Sequence, residues 1–107
     1  MRAEPTAVLK TLGDPTRRAL FERLSREGEL TVCALTAPSG VSQPAVSKHL
    51  NCLKQAGLVR DRRHGRETYY RAMPEGLTPL FDWLKCFATF WQGRFDRLDD
   101  LLQRMDP

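Results

Sequence analysis

Two stretches near the amino terminus show the periodicity of amphipathic helices. Residues 5–12 predict a short first helix, and Gly13 closes it. Asp14 is placed to cap a second helix over residues 15–27, with proline at its first position. The apolar residues at helical spacing in these two helices are Val8, Leu9, Leu12, Ala19, Leu20 and Leu24.

The middle of the chain predicts two more helices joined by a turn. Thr31 can cap a short helix over residues 32–37, which ends at Pro38-Ser39-Gly40. Ser42 can cap a longer helix over residues 43–56, which ends before Gly57. The positions of this helix that point inward at i, i+4, i+7 spacing are Val46, Leu50 and Leu53.

Two runs after this helix have the character of strands. Residues 58–63 and 66–73 flank His64-Gly65, and glycine can supply the positive φ that a tight hairpin turn requires. The chain of 107 residues has the length of a single domain. The sequence therefore predicts a single domain over residues 1–107, mainly α with a small β-hairpin, in the order α-α-α-α-β-β-α.

The last third predicts one long helix that begins near Pro79, with Thr78 as its cap. A heptad-like a/d register is apolar throughout, at Leu77, Phe81, Leu84, Ala88, Trp91, Phe95, Leu98, Leu102 and Met105. A second apolar stripe covers the first half, at Leu80, Trp83, Phe87 and Phe90. Two stripes imply two packing partners, and this chain is too small to surround such a helix. We therefore expect a homodimer through this helix, with Val8, Leu9 and Leu12 of the first helix contributing.

Composition narrows the class of protein. No apolar run is long enough for a membrane span, and the amino terminus lacks the apolar region of a secretory signal. Three cysteines at wide spacing make no disulfide framework. These features predict a cytoplasmic protein. Nothing suggests a nucleophile–base pair or a phosphate-binding glycine loop, so an enzyme is not expected.

The positive charge is concentrated rather than spread. The net charge of the chain is +4, yet residues 42–71 hold seven basic and two acidic side chains, while residues 74–107 hold four basic and six acidic. A basic stripe of this kind is typical of a surface that binds a polyanion. A merely solvated basic surface is the alternative.

Residues 31–56 have the dimensions of a helix-turn-helix, with small and polar residues at the start of the second helix. Gln43 can form paired hydrogen bonds with adenine, Lys48 can reach guanine or phosphate, and Ala45 can lie against a thymine methyl group. The residues predicted to contact double-stranded DNA are Ser42, Gln43, Pro44, Ala45, Ser47, Lys48 and His49 on the helix, and Arg62, Arg63, His64 and Arg66 at the hairpin. A domain of this kind that binds protein instead of DNA would show no steep dependence of binding on salt.

The segments GDPTRRALFERL, VSQPAVSKHLNCLKQAGLVRDRRHGRETYYR and the aromatic-rich last helix resemble the ArsR/SmtB family of winged-helix transcriptional regulators. The resemblance covers nearly the whole chain. It implies a homodimer whose first and last helices form the interface, which binds an inverted-repeat operator and usually represses transcription until an inducer binds.

The metal sites of that family are not matched. Its thiolate site falls on residues 29–35, where Thr31 stands in place of one cysteine and leaves Cys33 alone. Its last-helix site would need ligands where this chain has Leu84, Phe95 and Leu98. We therefore expect no metal and no cofactor.

A thiol-responsive repressor using Cys33, Cys52 or Cys86 stays an alternative. The two-cysteine switch of some relatives would place its first cysteine at Arg23, which argues against that arrangement.

Overall fold

The computed structural model describes the backbone of residues 4–105 and the side chains within that range except those at 89, 91, 92, 95, 96, 98, 99, 102 and 105. The elements are α1 (Thr6–Gly13), α2 (Pro15–Glu27), β1 (Leu30–Thr31), α3 (Val32–Thr36), α4 (Gln43–Gln55), β2 (Val59–His64), β3 (Glu67–Ala72), a 3₁₀ turn (Pro74–Leu77), α5 (Thr78–Lys85) and α6 (Ala88–Met105). The class predicted from sequence, mainly α with a small hairpin, is confirmed.

Three of the four predicted helix caps are present. The carboxylate of Asp14 accepts a hydrogen bond from the backbone N–H of Arg17 at 2.9 Å. The hydroxyl of Thr31 accepts from Ala34 at 3.1 Å, and that of Ser42 accepts from Ala45 at 3.3 Å. Each satisfies a backbone donor that a helix start would otherwise leave unpaired. Helices α2, α3 and α4 therefore begin where the sequence predicts.

The core lies where α2, α3 and α4 meet the sheet. Val46, Leu50 and Leu53, the predicted inward face of α4, are fully buried. The other buried apolar residues are Val8, Leu20, Phe21, Leu24, Leu35, Leu58 and Val59. The α4 face that carries Ser47 and Lys48 is thereby turned outward, because the opposite face is fixed in the core. Gln43 lies three residues before Val46 and is exposed because it is the first residue of the helix.

The hairpin is confirmed, and it belongs to a sheet with one strand more than predicted. The strand order is β1-β3-β2, with both pairs antiparallel. The short strand β1 places Leu30 opposite Tyr70 and Thr31 opposite Tyr69. The hairpin turn consists of Gly65 and Arg66, one residue later than predicted, and Gly65 has φ +64°.

The prediction of one continuous last helix is wrong. Helix α5 ends at Lys85 and α6 begins at Ala88. At the junction the N–H groups of Cys86 and Phe87 donate to carbonyls three residues back, at 3.1 and 3.0 Å, which is 3₁₀ geometry rather than α-helical. A register counted by sevens across this junction therefore does not describe a single helical face.

Thr78 is not the cap of α5. Leu77 precedes the helix without a capping side chain, and the Thr78 hydroxyl donates instead to the carbonyl of Glu75 at 2.7 Å. The preceding 3₁₀ turn already directs the backbone into α5, so the helix start is set by this turn and not by a capping hydroxyl.

The 3₁₀ turn packs closely on the end of α4. The N–H of Met73 donates to the carbonyl of Leu58 at 2.8 Å. A Cβ on Gly76 would lie 2.8 Å from the carbonyl carbon of Gly57 and 3.3 Å from the Cα of Leu58. Only glycine permits this approach, so Gly76 fixes where α5 starts relative to α4.

Candidate nucleic-acid interface

The amino-terminal half of α4 presents polar side chains to solvent. Gln43, Ser47 and Lys48 are exposed, as are Ser42 and Pro44, while Ala45 is half-buried. The amide of Gln43 can form paired hydrogen bonds with a base edge, and Lys48 can reach guanine or phosphate. The structure therefore places these six predicted residues on one accessible end of α4.

A cleft joins this end of α4 to the hairpin tip. It has a volume of about 270 Å³ and is lined by Gln43 and Ser47 of α4, by Arg66, the acidic Glu67 and Thr68 of the hairpin, and by residues 31–33 at the start of α3. Residues far apart in sequence thus line one groove. A helix end beside a basic hairpin tip matches the requirement for reading a groove while contacting the adjacent phosphates.

Arg63, His64 and Arg66, three of the predicted residues at the hairpin tip, are exposed, and Arg62 is exposed as well. Arg62 differs from them because its guanidinium forms two hydrogen bonds with the carboxylate of Glu29, Nε to Oε2 at 2.8 Å and Nη2 to Oε1 at 2.6 Å. These bonds lower the pKa of Glu29 and raise the pKa of Arg62. Arg62 therefore already has an anionic partner within the chain.

His49 also differs from the prediction that it faces DNA. Its side chain is 24% exposed, and its Nδ1 lies 3.9 Å from Oδ2 of Asp14, at the start of α2. The N–H of Arg17 and, less strongly, His49 lower the pKa of Asp14. In this position His49 faces α2, because it lies on the side of α4 beside the buried Val46 and Leu50.

Asn51 is a further polar residue of this face that was not predicted from sequence. It is exposed and lies four positions after Ser47 and three after Lys48, so all three share the outer face of α4. An asparagine can form the same paired hydrogen bonds with adenine that glutamine forms. The i, i+4 spacing from Ser47 is the signal that would have identified it.

The predicted dimer residues include some that are buried or partly buried within the single chain, some that are exposed, and some whose side chains are not described. Val8 is only 2% exposed within the single chain and Leu12 packs against the core, whereas Leu9 is exposed. Phe81 is 60% exposed, and Leu84 and Ala88 are exposed as well, while Leu77 is partly buried. The side chains of Trp91, Phe95, Leu98 and Leu102 lie outside the described residues. Val8 thus already contributes to the core of its own chain, which leaves it little surface for a partner.

The three cysteines are separate from one another and free. Cys33 and Cys86 are exposed, and Cys52 is partly buried beside the core. Among the side chains that the structure describes, no group of three or more His, Cys, Asp or Glu residues is placed to hold a metal ion. None of the helices in the described range is long and apolar enough to span a bilayer.

A helix-turn-helix whose second helix lies beside a basic hairpin defines the class of winged helix-turn-helix proteins. Residues 14–61 match the model of the family described as bacterial regulatory protein, arsR family. The chain is 33% identical to the ArsR family transcriptional regulator RHA00566, whose crystal structure it matches with a TM-score of 0.74 over 86% of this chain and 97% of that one. The chain therefore belongs to the ArsR family.

Two further relatives are an arsenic-resistance regulator and a homodimeric DNA-binding domain. The arsenic resistance transcriptional regulator ArsR1 of Pseudomonas putida is 48% identical over 71 residues, which are 66% of this chain and 56% of that protein. The solution structure of a homodimeric winged helix-turn-helix DNA-binding domain from Mycobacterium bovis is 32% identical, with a TM-score of 0.62 over 78% of this chain and 77% of that one. The chain spans less than two thirds of the length of the arsenic-resistance regulators it matches.

Proposed function

We propose that the protein is a homodimeric, sequence-specific DNA-binding regulator that represses transcription. The observation that carries this proposal is the single cleft lined by Gln43 and Ser47 of α4 and by Arg66 of the hairpin. The exposed polar end of α4 would enter the major groove, while the hairpin tip would contact the neighbouring backbone or minor groove. We call the hairpin of β2 and β3 the wing.

The charges on this surface support DNA rather than a neutral partner. Lys48, Arg63 and Arg66 are exposed, and no acidic partner pairs with them among the described residues. When such cations neutralise DNA phosphates, the counterions condensed on the DNA are released, which makes binding tighter at low salt. Gln43, by contrast, carries no charge and contributes discrimination between bases rather than general attraction.

Dimerisation is supported by the exposed apolar face of α5. Phe81 and Leu84 are exposed on α5, and Leu9 of α1 lines a cleft with Trp83 of α5. A soluble single chain rarely exposes aromatic residues in such a patch. A two-fold dimer through α1, α5 and α6 would cover it and would match an inverted-repeat operator with two half-sites.

The proposed division of roles is tested by measuring fluorescence anisotropy on two duplexes. One carries a sequence that the protein itself selects from a random pool, and the other is a scrambled version. Gln43→Ala should lose about 1–3 kcal/mol per half-site on the selected duplex and little on the scrambled one. Arg66→Ala should weaken both and reduce the slope of log K against log salt by about 0.9 per lost phosphate contact, in each of the two wings.

The matched control is Gln55→Ala, since Gln55 is an exposed glutamine at the carboxyl end of the same helix. It should bind both duplexes as the unaltered protein does. Equal losses on both duplexes for Gln43→Ala would show that α4 does not read bases. Duplex binding that is independent of salt would instead favour a winged helix that binds protein.

A further inference from the structure

The wing is tied to the body of the domain through Glu29 and Arg62. Glu29 directly precedes β1, and the guanidinium of Arg62 spans both of its carboxylate oxygens at 2.8 and 2.6 Å. The same guanidinium lies 4.8 Å from the centre of the Tyr69 ring. A two-pronged ion pair stacked on an aromatic ring fixes the direction of an arginine far more than a single contact does.

The pleat of the sheet places Arg62 on the side of the wing away from the cleft. Arg62 is opposite Tyr69, and Arg63 is opposite Thr68, so successive residues alternate between the two faces. Thr68 lines the cleft beside Gln43. Arg62 would therefore have to leave Glu29 and cross the hairpin to reach the DNA that Arg63 and Arg66 contact.

The pair also connects the wing to the start of the helix-turn-helix. One residue separates Glu29 from Thr31, which pairs with Tyr69 in β3 and caps α3 through its side chain. Strand β1 holds β3 by only two residue pairs. A second attachment at Glu29 restricts how far the wing can turn relative to α3 and hence to α4.

We propose that Glu29 and Arg62 form a clamp that positions the wing for DNA, and that Arg62 is a positioning residue and not a phosphate contact. The proposal rests on the proposed function and deepens it. A wing held in its binding position loses less conformational freedom when the complex forms. The clamp thus raises affinity without adding a contact to the duplex.

The clamp and a direct contact give opposite results on the selected duplex. If the clamp operates, Glu29→Gln, Arg62→Ala and Arg62→Lys should each weaken binding by about three- to tenfold, because each one breaks the two-pronged pair. The double variant of Glu29→Gln with Arg62→Ala should be no weaker than either single one. The salt slope should stay at the value of the unaltered protein in all of them.

If Arg62 instead contacts phosphate, removal of the Glu29 charge should leave binding unchanged or tighter, and Arg62→Lys should retain most of the affinity. Arg62→Ala should then reduce the salt slope as much as Arg63→Ala does. Either result overturns the clamp. Arg60→Ala is the matched control, since Arg60 lies two residues before Arg62 on the same face of β2, and it should change neither affinity nor slope.

A measurement without DNA decides the clamp independently. Strands β1 and β3 meet at two residue pairs, Leu30 with Tyr70 and Thr31 with Tyr69. Exchange of the amides hydrogen-bonded between these two strands should become several-fold faster in Arg62→Ala, while exchange in α4 stays unchanged. Unchanged exchange at these amides would refute the clamp. Failure of the unaltered protein to bind any duplex would refute the proposed function alone. Circular dichroism of each variant checks that it is folded.

Discussion

The contact between Gly76 and the end of α4 leads to a specific prediction about stability. The backbone atoms of Gly57 and Leu58 that a Cβ on Gly76 would meet cannot rotate away, so in Gly76→Ala the 3₁₀ turn must shift. Overpacking costs about 1–3 kcal/mol, and we place this variant near the upper end because the neighbours are backbone. The alanine also restricts the unfolded chain, which offsets about 0.4–1 kcal/mol.

The net loss is therefore about 2 kcal/mol in the free energy of unfolding, a large share of the roughly 5–15 kcal/mol typical of a native protein. For a domain near this size it corresponds to a fall in Tm of about 8–16 °C. Urea denaturation followed by circular dichroism measures it. All variants must be compared at one protein concentration, since the stability of a dimer depends on it.

Gly13→Ala is the control, because a Cβ on Gly13 meets nothing within 4 Å and its φ is not positive. This change should be neutral or stabilise the protein by up to about 1 kcal/mol. If the free energy of unfolding of Gly76→Ala lies within about 0.5 kcal/mol of that of the unaltered protein, the 3₁₀ turn does not pack closely on the end of α4.

Three further predictions address assembly, metals and pH. Phe81→Asp should give folded monomers in sedimentation velocity, because Phe81 is exposed on the single chain, whereas Lys85→Asp on the same helix should remain dimeric; a dimeric Phe81→Asp would contradict the interface. Zn(II), Cd(II) or As(III) should not release the selected duplex, because Thr31 leaves Cys33 without a second thiolate; release by one stoichiometric ion in an anisotropy titration would show otherwise. The hydrogen bond from the Arg17 N–H lowers the pKa of Asp14, so the ionised carboxylate stabilises the fold fully above pH 3.8, its ordinary pKa, and this stabilisation is lost as pH falls through the lowered pKa. The difference in stability between the unaltered protein and Asp14→Ala should therefore shrink in acid. A difference that does not depend on pH would refute this.

The helices up to α4 could be predicted because their signals are local. A cap, an apolar periodicity and a closing glycine lie within one segment, as Ser42 and Gly57 show for α4. Strand β1 has only two residues, so it carries no periodicity of its own. It becomes a strand because β3, almost forty residues later, supplies its hydrogen-bond partners.

The errors at the last helix and the wing have the same origin. Neither proline nor glycine marks the junction at Cys86 and Phe87, so an apolar register runs through it unbroken in the sequence. In the sequence Arg62 is indistinguishable from Arg63, because nothing near it in the chain marks its acidic partner. Glu29 lies 33 residues away, and only the folded sheet brings it to Arg62.

Strand β2 lies at an edge of the sheet, and this position gives its charges a second consequence. An exposed edge presents unpaired backbone groups that can recruit the same edge of another molecule. Four of the six residues of β2 are charged, Arg60, Asp61, Arg62 and Arg63, and two such edges would repel or mismatch on approach. A variant that neutralises Arg63 together with its neighbours in β2 would also lose this protection. Any loss of DNA binding in such a variant would have to be separated from self-association.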